Sequence, residues 1–193
     1  MGFLSTDIAR ALSWNDVFPA FVSVGSGTAT PTIQVYRDTP VEYQFLRRDQ
    51  DDSFQVIYQM PHTWAKNAVN PHMHFIGCGD SDGYVVVSGV YTWSGIGHAL
   101  PANADWTAFR AEKYVLGSDQ WIEEVLGIGP INPPSWAGPS AQLHIRWTRP
   151  GSSDAGDTYH GNNPFGLAAA NVALLALDCH VQIKTLGTMG EFS

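Results

Sequence analysis

The sequence predicts an all-β protein, an antiparallel β-sandwich of the jelly-roll type. Apolar and polar residues alternate with a period of two over short runs, and Gly, Pro, Asn and Asp bound these runs. The runs follow one another without intervening helical segments, which favours two packed antiparallel sheets over a parallel α/β sheet. A chain of 193 residues can bury a sufficient core as one domain without disulfides or a structural metal.

The alternation is clearest in residues 141–148. Successive side chains of a strand point to opposite faces, so Leu143 and Trp147 are predicted to face the core while His144 and Arg146 face away from it. The other predicted strands are 32–37, 41–46, 53–59, 72–76, 84–93 and 172–184.

Two interpretations remain open for residues 167–177. The segment is rich in Ala and Leu, which favours a helix by propensity. The alternation continues beyond it, with Cys179, Val181 and Ile183 on one side of the chain, and this favours one long strand.

The N-terminus differs from the rest of the chain. Its apolar residues have helix-like spacing over a short stretch, which predicts an arm or short helix over residues 1–14 and a single β-sandwich domain over residues 15–193. We expect the arm to be ordered by contact with a partner. Its proposed partner-binding residues are Phe3, Leu4, Ile8, Leu12 and Trp14.

Composition narrows the classes of function. The net charge is −8 and the few Lys and Arg are not clustered, so we expect no nucleic-acid partner. The first residues lack the basic and apolar regions of a signal peptide, and no apolar run is long enough to cross a membrane, so we expect a cytoplasm-like compartment and no membrane partner. Cys78 and Cys179 are expected to be buried free thiols.

The sharpest local feature is a histidine pair. His72 and His74 would share one face of a strand, with the side chains roughly 6.5 Å apart. A metal such as zinc or iron needs at least a third ligand, for which His180 is the first candidate and His62 or Asp178 are possible alternatives. The other interpretation is a polar patch in which the imidazoles hydrogen-bond to their neighbours.

Signatures of catalysis are incomplete. The His-x-His pair invites comparison with cupins, which add a glutamate a few residues later, but after His74 the next glutamate is Glu112. No nucleophile-elbow, P-loop or zinc-protease motif occurs, so we expect no enzymatic activity and no cofactor beyond a possible divalent metal. The Asp-Gly pair within residues 80–83 predicts a tight hairpin turn.

Long loops carry aromatic residues. Residues 95–105, 127–140 and 150–164 read as extended Pro- and Gly-bearing loops, which are typical of binding surfaces. Trp64 and Trp136 lie in Pro-rich segments, where each either anchors a partner or folds back onto the sandwich.

Six segments follow one another along the chain: WNDVFPA, MPHTW, NPHMHF, GYVVVSGVYTWSGIG, SAQLHIRWTRP and LDCHVQIKTLGT. They include His62 in a Pro-His, His72 and His74 in a Pro-His-x-His, and Asp178 and His180 in a late Asp-x-His. The order of these motifs resembles a family of tailed-bacteriophage virion structural proteins. The ending GTMGEFS replaces the longer charged tail of that pattern.

This resemblance implies a virion component that is assembled in the host cytoplasm and has no assigned catalytic activity. We expect a cement or decoration protein that stabilises the capsid by bridging major capsid proteins, acting as a homotrimer. A tail or head-tail structural protein is the alternative within that class. Two other classes remain open: a cupin-like metal-dependent enzyme using His72, His74 and His180, and a carbohydrate-binding module for host recognition.

Overall fold

A computed structural model describes residues 12–19, 21–24, 31–161 and 172–184 of the chain. These residues form antiparallel strands joined by loops and three short 3-10 helices, at Asn103–Asp105, Gly117–Asp119 and Gly151–Ser153. The strands are β1 (Leu12–Val17), β2 (Phe21–Val24), β3 (Thr32–Val35), β4 (Glu42–Leu46), β5 (Asp52–Gln59), β6 (Asn70–Gly77), β7 (Gly83–Ser94), β8 (Thr107–Val115), β9 (Glu123–Gly127), β10 (Gln142–Arg149) and β11 (Val172–Lys184).

The strands divide into two sheets. The first sheet has the order β3-β4-β11-β6-β9, and β1 also pairs with β11. The second sheet has the order β2-β5-β10-β7-β8. Every strand pair is antiparallel, which confirms the predicted antiparallel β-sandwich.

The core lies between the two sheets. Alternate residues of β10 enter it, and Leu143, Ile145 and Trp147 are fully buried, as the period-two pattern predicted. Phe54 of β5 stacks on Trp147 with 6.5 Å between ring centroids. The first sheet contributes the fully buried side chains of Met73, Phe75, Cys179 and Val181.

Four strands were not predicted, namely β1, β2, β8 and β9. β8 forms one edge of the second sheet and β9 one edge of the first. In β8 one face carries Phe109, Ala111 and Val115, which pack on the core, but Lys113 lies on the same face and weakens the alternation that marks a half-buried strand. β9 has only five residues, two of them glutamates.

The predicted N-terminal arm needs a correction. Leu12 and Trp14 lie in β1, whose register places Leu12 opposite Lys184 and Trp14 opposite Gln182 in β11. The end of the predicted arm is therefore part of the first sheet, because its backbone completes hydrogen bonding along an open side of β11. Phe3, Leu4 and Ile8 lie outside the described residues.

Other expectations can be compared directly. From Val172 onwards the late segment is a strand rather than a helix, whereas residues 167–171 lie outside the described part of the chain. Cys78 and Cys179 are free and buried, as predicted. The predicted hairpin at residues 80–83 is wrong, because this turn joins β6 of the first sheet to β7 of the second. No helix within the described ranges has the length and hydrophobicity of a membrane span.

Candidate functional site

The outer face of the first sheet carries a cluster of histidines and carboxylates. β6 and β11 are neighbours, with Asp178 directly opposite His72 and His180 opposite Asn70. Met73 and Cys179, which alternate with these residues, point into the core. Directly opposite residues of an antiparallel pair project from the same face, so the two distant motifs meet on the outer side.

His72 is held in one orientation by its backbone neighbour. Its Nδ1 lies 3.2 Å from the carbonyl oxygen of Asn70, and a carbonyl can only accept a hydrogen bond, so Nδ1 carries the proton. The other ring nitrogen, Nε2, is in close contact with Oδ1 of Asp178. The imidazole and the carboxylate are both buried.

Asp178 is the most constrained carboxylate of the cluster. Its Oδ1 is buried and no donor reaches it with hydrogen-bond geometry, even though His72 Nε2 contacts it and His74 Nε2 lies 3.6 Å away. A buried carboxylate is stable only when paired, hydrogen-bonded or bound to a metal. Among the carboxylates of the cluster, Asp178 is therefore the one that a positively charged partner would stabilise most.

His180 lies at the solvent-exposed side of the cluster. Its ring centroid is 4.3 Å from that of His72, and its Nε2 lies 3.0 Å from Oδ1 of Asp16 in β1. Trp14, also in β1, meets the His180 ring edge-on at 6.4 Å. β1 therefore supplies both a carboxylate and an aromatic ring to the site.

Three ligand-type residues converge closely. Three potential ligand atoms lie within 4.8 Å of one another: one ring nitrogen of His72, one of His180 and a carboxylate oxygen of Asp178. Among the described residues His74 is not a member of this group; its Nδ1 is 2.6 Å from Oε1 of Glu123 in β9. Of the predicted ligands, His72 and His180 belong to this group, together with Asp178, which was predicted as a possible alternative.

A pocket opens beside these residues. It has a volume of about 310 Å³ and is lined by Asn70, Pro71, His72, Val125, Gly127, Gly129 and His180. Gly127 lies opposite His72 in the β6–β9 register, and a Cβ there would meet nothing closer than 3.9 Å. The absence of a side chain at Gly127 keeps the space above His72 open.

The remaining predicted site residues lie elsewhere. His62 Nε2 is 3.3 Å from Oγ of Ser140, so it is not brought into the group of three. Trp64 is only 2 % exposed and stacks on Trp93 at 5.6 Å, which corrects its predicted role as a partner anchor. Trp136 is 37 % exposed and remains available to a partner.

Asp16 and Glu123 were not among the predicted site residues. Glu123 lies in β9, a strand that the sequence did not predict, and Asp16 lies just after the predicted arm. Only the pairing of β1 with β11 and of β9 with β6 brings them to the histidines. The neighbouring Cys179 does not join them, because its thiol faces the core, where burial, with a contribution from the nearby Asp178 carboxylate, raises its pKa.

Comparisons with known proteins give distant structural likenesses only. No protein-family model matches the chain, and no curated protein matches its sequence. The CBM36-1 domain of a multidomain xylanase from the hindgut metagenome of Trinervitermes trinervoides is 13% identical, with a TM-score of 0.37, and the match covers 88% of this chain and 96% of that one.

Two further solved structures are similarly distant. TmCBM61, solved in complex with β-1,4-galactotriose, is 10% identical, with a TM-score of 0.34 and coverage of 89% of this chain and 84% of that one. A protein of unknown function from Shewanella oneidensis MR-1 is 10% identical, with a TM-score of 0.29 and coverage of 95% and 92%.

Proposed function

We propose that this protein is a structural component of a tailed-phage particle, a cement or decoration protein that bridges major capsid proteins. The observation that carries the proposal is the meeting of the shared motifs. His72 and His74 from one motif and Asp178 and His180 from the other, about a hundred residues later in the chain, lie on adjacent strands of one surface. This supports the proposal because two motifs that are distant in the sequence contribute to one cluster on the protein surface.

An exposed apolar loop tip supports the proposal. Ile96, in the turn after β7, is 91 % exposed, and Leu100 further along the same loop is also exposed. Trp136 lies beside this turn, with the His98 ring stacked on it at 4.2 Å. Large apolar side chains gathered on a protruding loop are typical of protein-binding surfaces.

The charge of the protein agrees with an exterior position. A net charge of −8 disfavours contact with packaged DNA, because like charges repel and no clustered cations are present to release counterions. The proposed location is therefore the outside of the capsid, over junctions between capsid proteins.

Mass spectrometry of purified particles tests this function. We expect the protein in DNA-filled heads in stoichiometric ratio to the major capsid protein. Detection in purified tails and not in heads would assign it to the tail, the alternative within the same class. Absence from purified particles would contradict the proposal.

The loop tip can be tested separately by mutation. Ile96→Ser should reduce incorporation into particles, since it removes the most exposed apolar side chain of the tip. Ile122→Ser is the matched control, because Ile122 is also exposed but lies before β9. Equal incorporation of both variants would show that the tip does not dock.

We propose that the docking unit is a homotrimer, since a protein that bridges capsid subunits must match local symmetry axes. Light scattering during size-exclusion chromatography should give three times the monomer mass of 21.0 kDa. A monomer at every concentration and on the particle would contradict the trimer.

A metal-dependent enzyme is the second candidate function. The observation in its favour is that His72, Asp178 and His180 converge beside a pocket of about 310 Å³, an arrangement that leaves room for a substrate. A redox-active metal with an open coordination position in the purified protein would favour this candidate over the virion protein.

A further inference from the structure

We propose that His72, Asp178 and His180 bind one divalent transition-metal ion of the zinc, cobalt or nickel type. This inference does not depend on the proposed role in a phage particle. It rests on the convergence of three ligand-type side chains, on a buried carboxylate oxygen without a hydrogen-bond donor, and on the adjacent pocket.

The spacing of the ligand atoms suits such an ion. Zinc binds histidine nitrogen and carboxylate oxygen at about 2.0–2.2 Å, so ligand atoms of a tetrahedral site are roughly 3.4 Å apart. The ligand atoms of His72, Asp178 and His180 already lie within 4.8 Å of one another. Binding of an ion would therefore have to draw these atoms together by about an ångström.

The orientation of His72 leaves one ring nitrogen for a metal. Nδ1 donates to the carbonyl oxygen of Asn70, so Nε2 is the nitrogen that faces Oδ1 of Asp178. A metal ion bound by Nε2 would also give the buried Asp178 carboxylate a positive partner.

The donor set selects the class of metal. Two imidazole nitrogens and one carboxylate suit zinc, cobalt, nickel or iron, whereas magnesium and calcium prefer oxygen ligands. The surrounding residues resemble the outer partners of a metal site, with Asn70 on the His72 ring and Asp16 on the His180 ring. The pocket beside His72 and His180 would leave room for a water molecule or a partner group as a further ligand.

Metal titration of the full-length protein is the test. After removal of metal with EDTA, Co²⁺ should bind one equivalent and produce visible d–d absorption bands, and Zn²⁺ should displace it. Zn²⁺ should also raise the melting temperature, because a ligand that binds only the folded state stabilises it. Mg²⁺ should produce no change in melting temperature.

Variants locate the site. His180→Gln and Asp178→Asn should each weaken Co²⁺ binding by at least about tenfold, in line with the loss of a ligand or its support. His98→Gln is the matched control, since His98 stacks on Trp136 and is not among the converging residues; its Kd should equal that of the unmodified protein.

The outcomes separate the two explanations of the His72–Asp178 contact. If neither Co²⁺ nor Zn²⁺ binds, or if His180→Gln and Asp178→Asn bind as tightly as the control, the proposal is overturned and the cluster is a polar patch without a metal. His180 is half exposed, so His180→Gln should fold even if Asp178→Asn does not, and it decides the question alone. Far-UV circular dichroism of each variant establishes that it is folded.

Discussion

Arg149 and Asp157 form a bidentate ion pair in which neither side chain is exposed to solvent. Nε of Arg149 donates to Oδ2 of Asp157 at 2.7 Å and Nη2 donates to Oδ1 at 2.8 Å. Nη1 of the same guanidinium donates to the carbonyl oxygen of Leu46 at 2.9 Å. The pair thus ties the end of β10 to the end of β4 and to the loop after β10.

Asp157→Ala should destabilise the protein by about 3–5 kcal/mol, because it leaves the Arg149 guanidinium buried without its counter-charge. Urea denaturation followed by tryptophan fluorescence measures the change. Arg110→Ala is the control: its ion pair with Asp154 is largely exposed, and its loss should leave the unfolding midpoint almost unchanged. If the two variants unfold at similar urea concentrations, the buried Arg149–Asp157 pair contributes no more to stability than the exposed Arg110–Asp154 pair.

His144 should make stability depend on pH. Burial lowers its pKa below the ordinary value of 6.5, so as pH falls through that value the unfolded chain binds a proton that the folded protein does not. Stability therefore decreases as pH falls from about 6.5 towards the folded-state pKa, and it is fully present above that window. Below the folded-state pKa the loss levels off.

His144→Gln removes this contribution and keeps a polar partner for Ser94, whose Oγ is 2.7 Å from the His144 ring. We expect the free energy of unfolding of the variant to fall less steeply with decreasing pH than that of the unmodified protein. The other histidines are common to both proteins, so the difference isolates His144. Urea denaturation at several pH values gives the free energy of unfolding of both proteins. The prediction is wrong if this free energy changes with pH to the same extent in the two proteins.

Gly89 in β7 permits a close approach of two strands. A Cβ at this position would collide with the backbone carbonyl oxygen of Arg146 and come within 2.8 Å of the Phe109 ring. Gly89→Ala should therefore cost at least about 2 kcal/mol, because the collision involves backbone that has no rotamer to change.

Gly138→Ala is the control for Gly89→Ala. A Cβ at Gly138 meets the flexible end of Lys66 at an ordinary 3.6 Å, so the melting temperature should change little. Thermal unfolding of the two variants distinguishes a steric effect at Gly89 from a general effect of replacing glycine in this protein. A Gly89→Ala variant as stable as the control would show that the sheet adjusts.

The two loop tryptophans should differ in what they do. Trp64→Ala should destabilise the fold by about 3–5 kcal/mol, since it empties a buried site against Trp93. Trp136→Ala should leave the unfolding free energy nearly unchanged and reduce incorporation into particles. Denaturation and particle composition are measured on the same two variants. The reverse pattern would contradict both assignments.

Period-two alternation predicted seven of the strands correctly, and residues 141–148 show why. Leu143, Ile145 and Trp147 alternate with polar residues, and one buried face is enough to specify a strand. The edge strand β8 was harder to recognise because Lys113 interrupts its apolar inward face. β1 was missed for a different reason. Its pairing with β11 depends on backbone hydrogen bonds, and these cannot be predicted from the pattern of side chains.

The candidate site was predicted in part. His72 and His180 were predicted as metal ligands, with Asp178 as a possible alternative, and all three belong to the converging group. His74 and His62 were also candidates, but His74 pairs with Glu123 and His62 lies beside Ser140. Residue type and spacing along one strand identify which side chains share a face, and they do not identify which atoms meet across strands.

The sequence by itself determined the β class, the inward and outward faces of β10, and the common face of His72 and His74, because each depends on residues within a few positions of one another. Only the tertiary structure decided that β6 lies beside β11, that Asp16 and Glu123 reach the histidines, and that Trp64 is buried. The physical reason is that alternation is a local property, whereas strand order follows from how two whole sheets bury their apolar faces together.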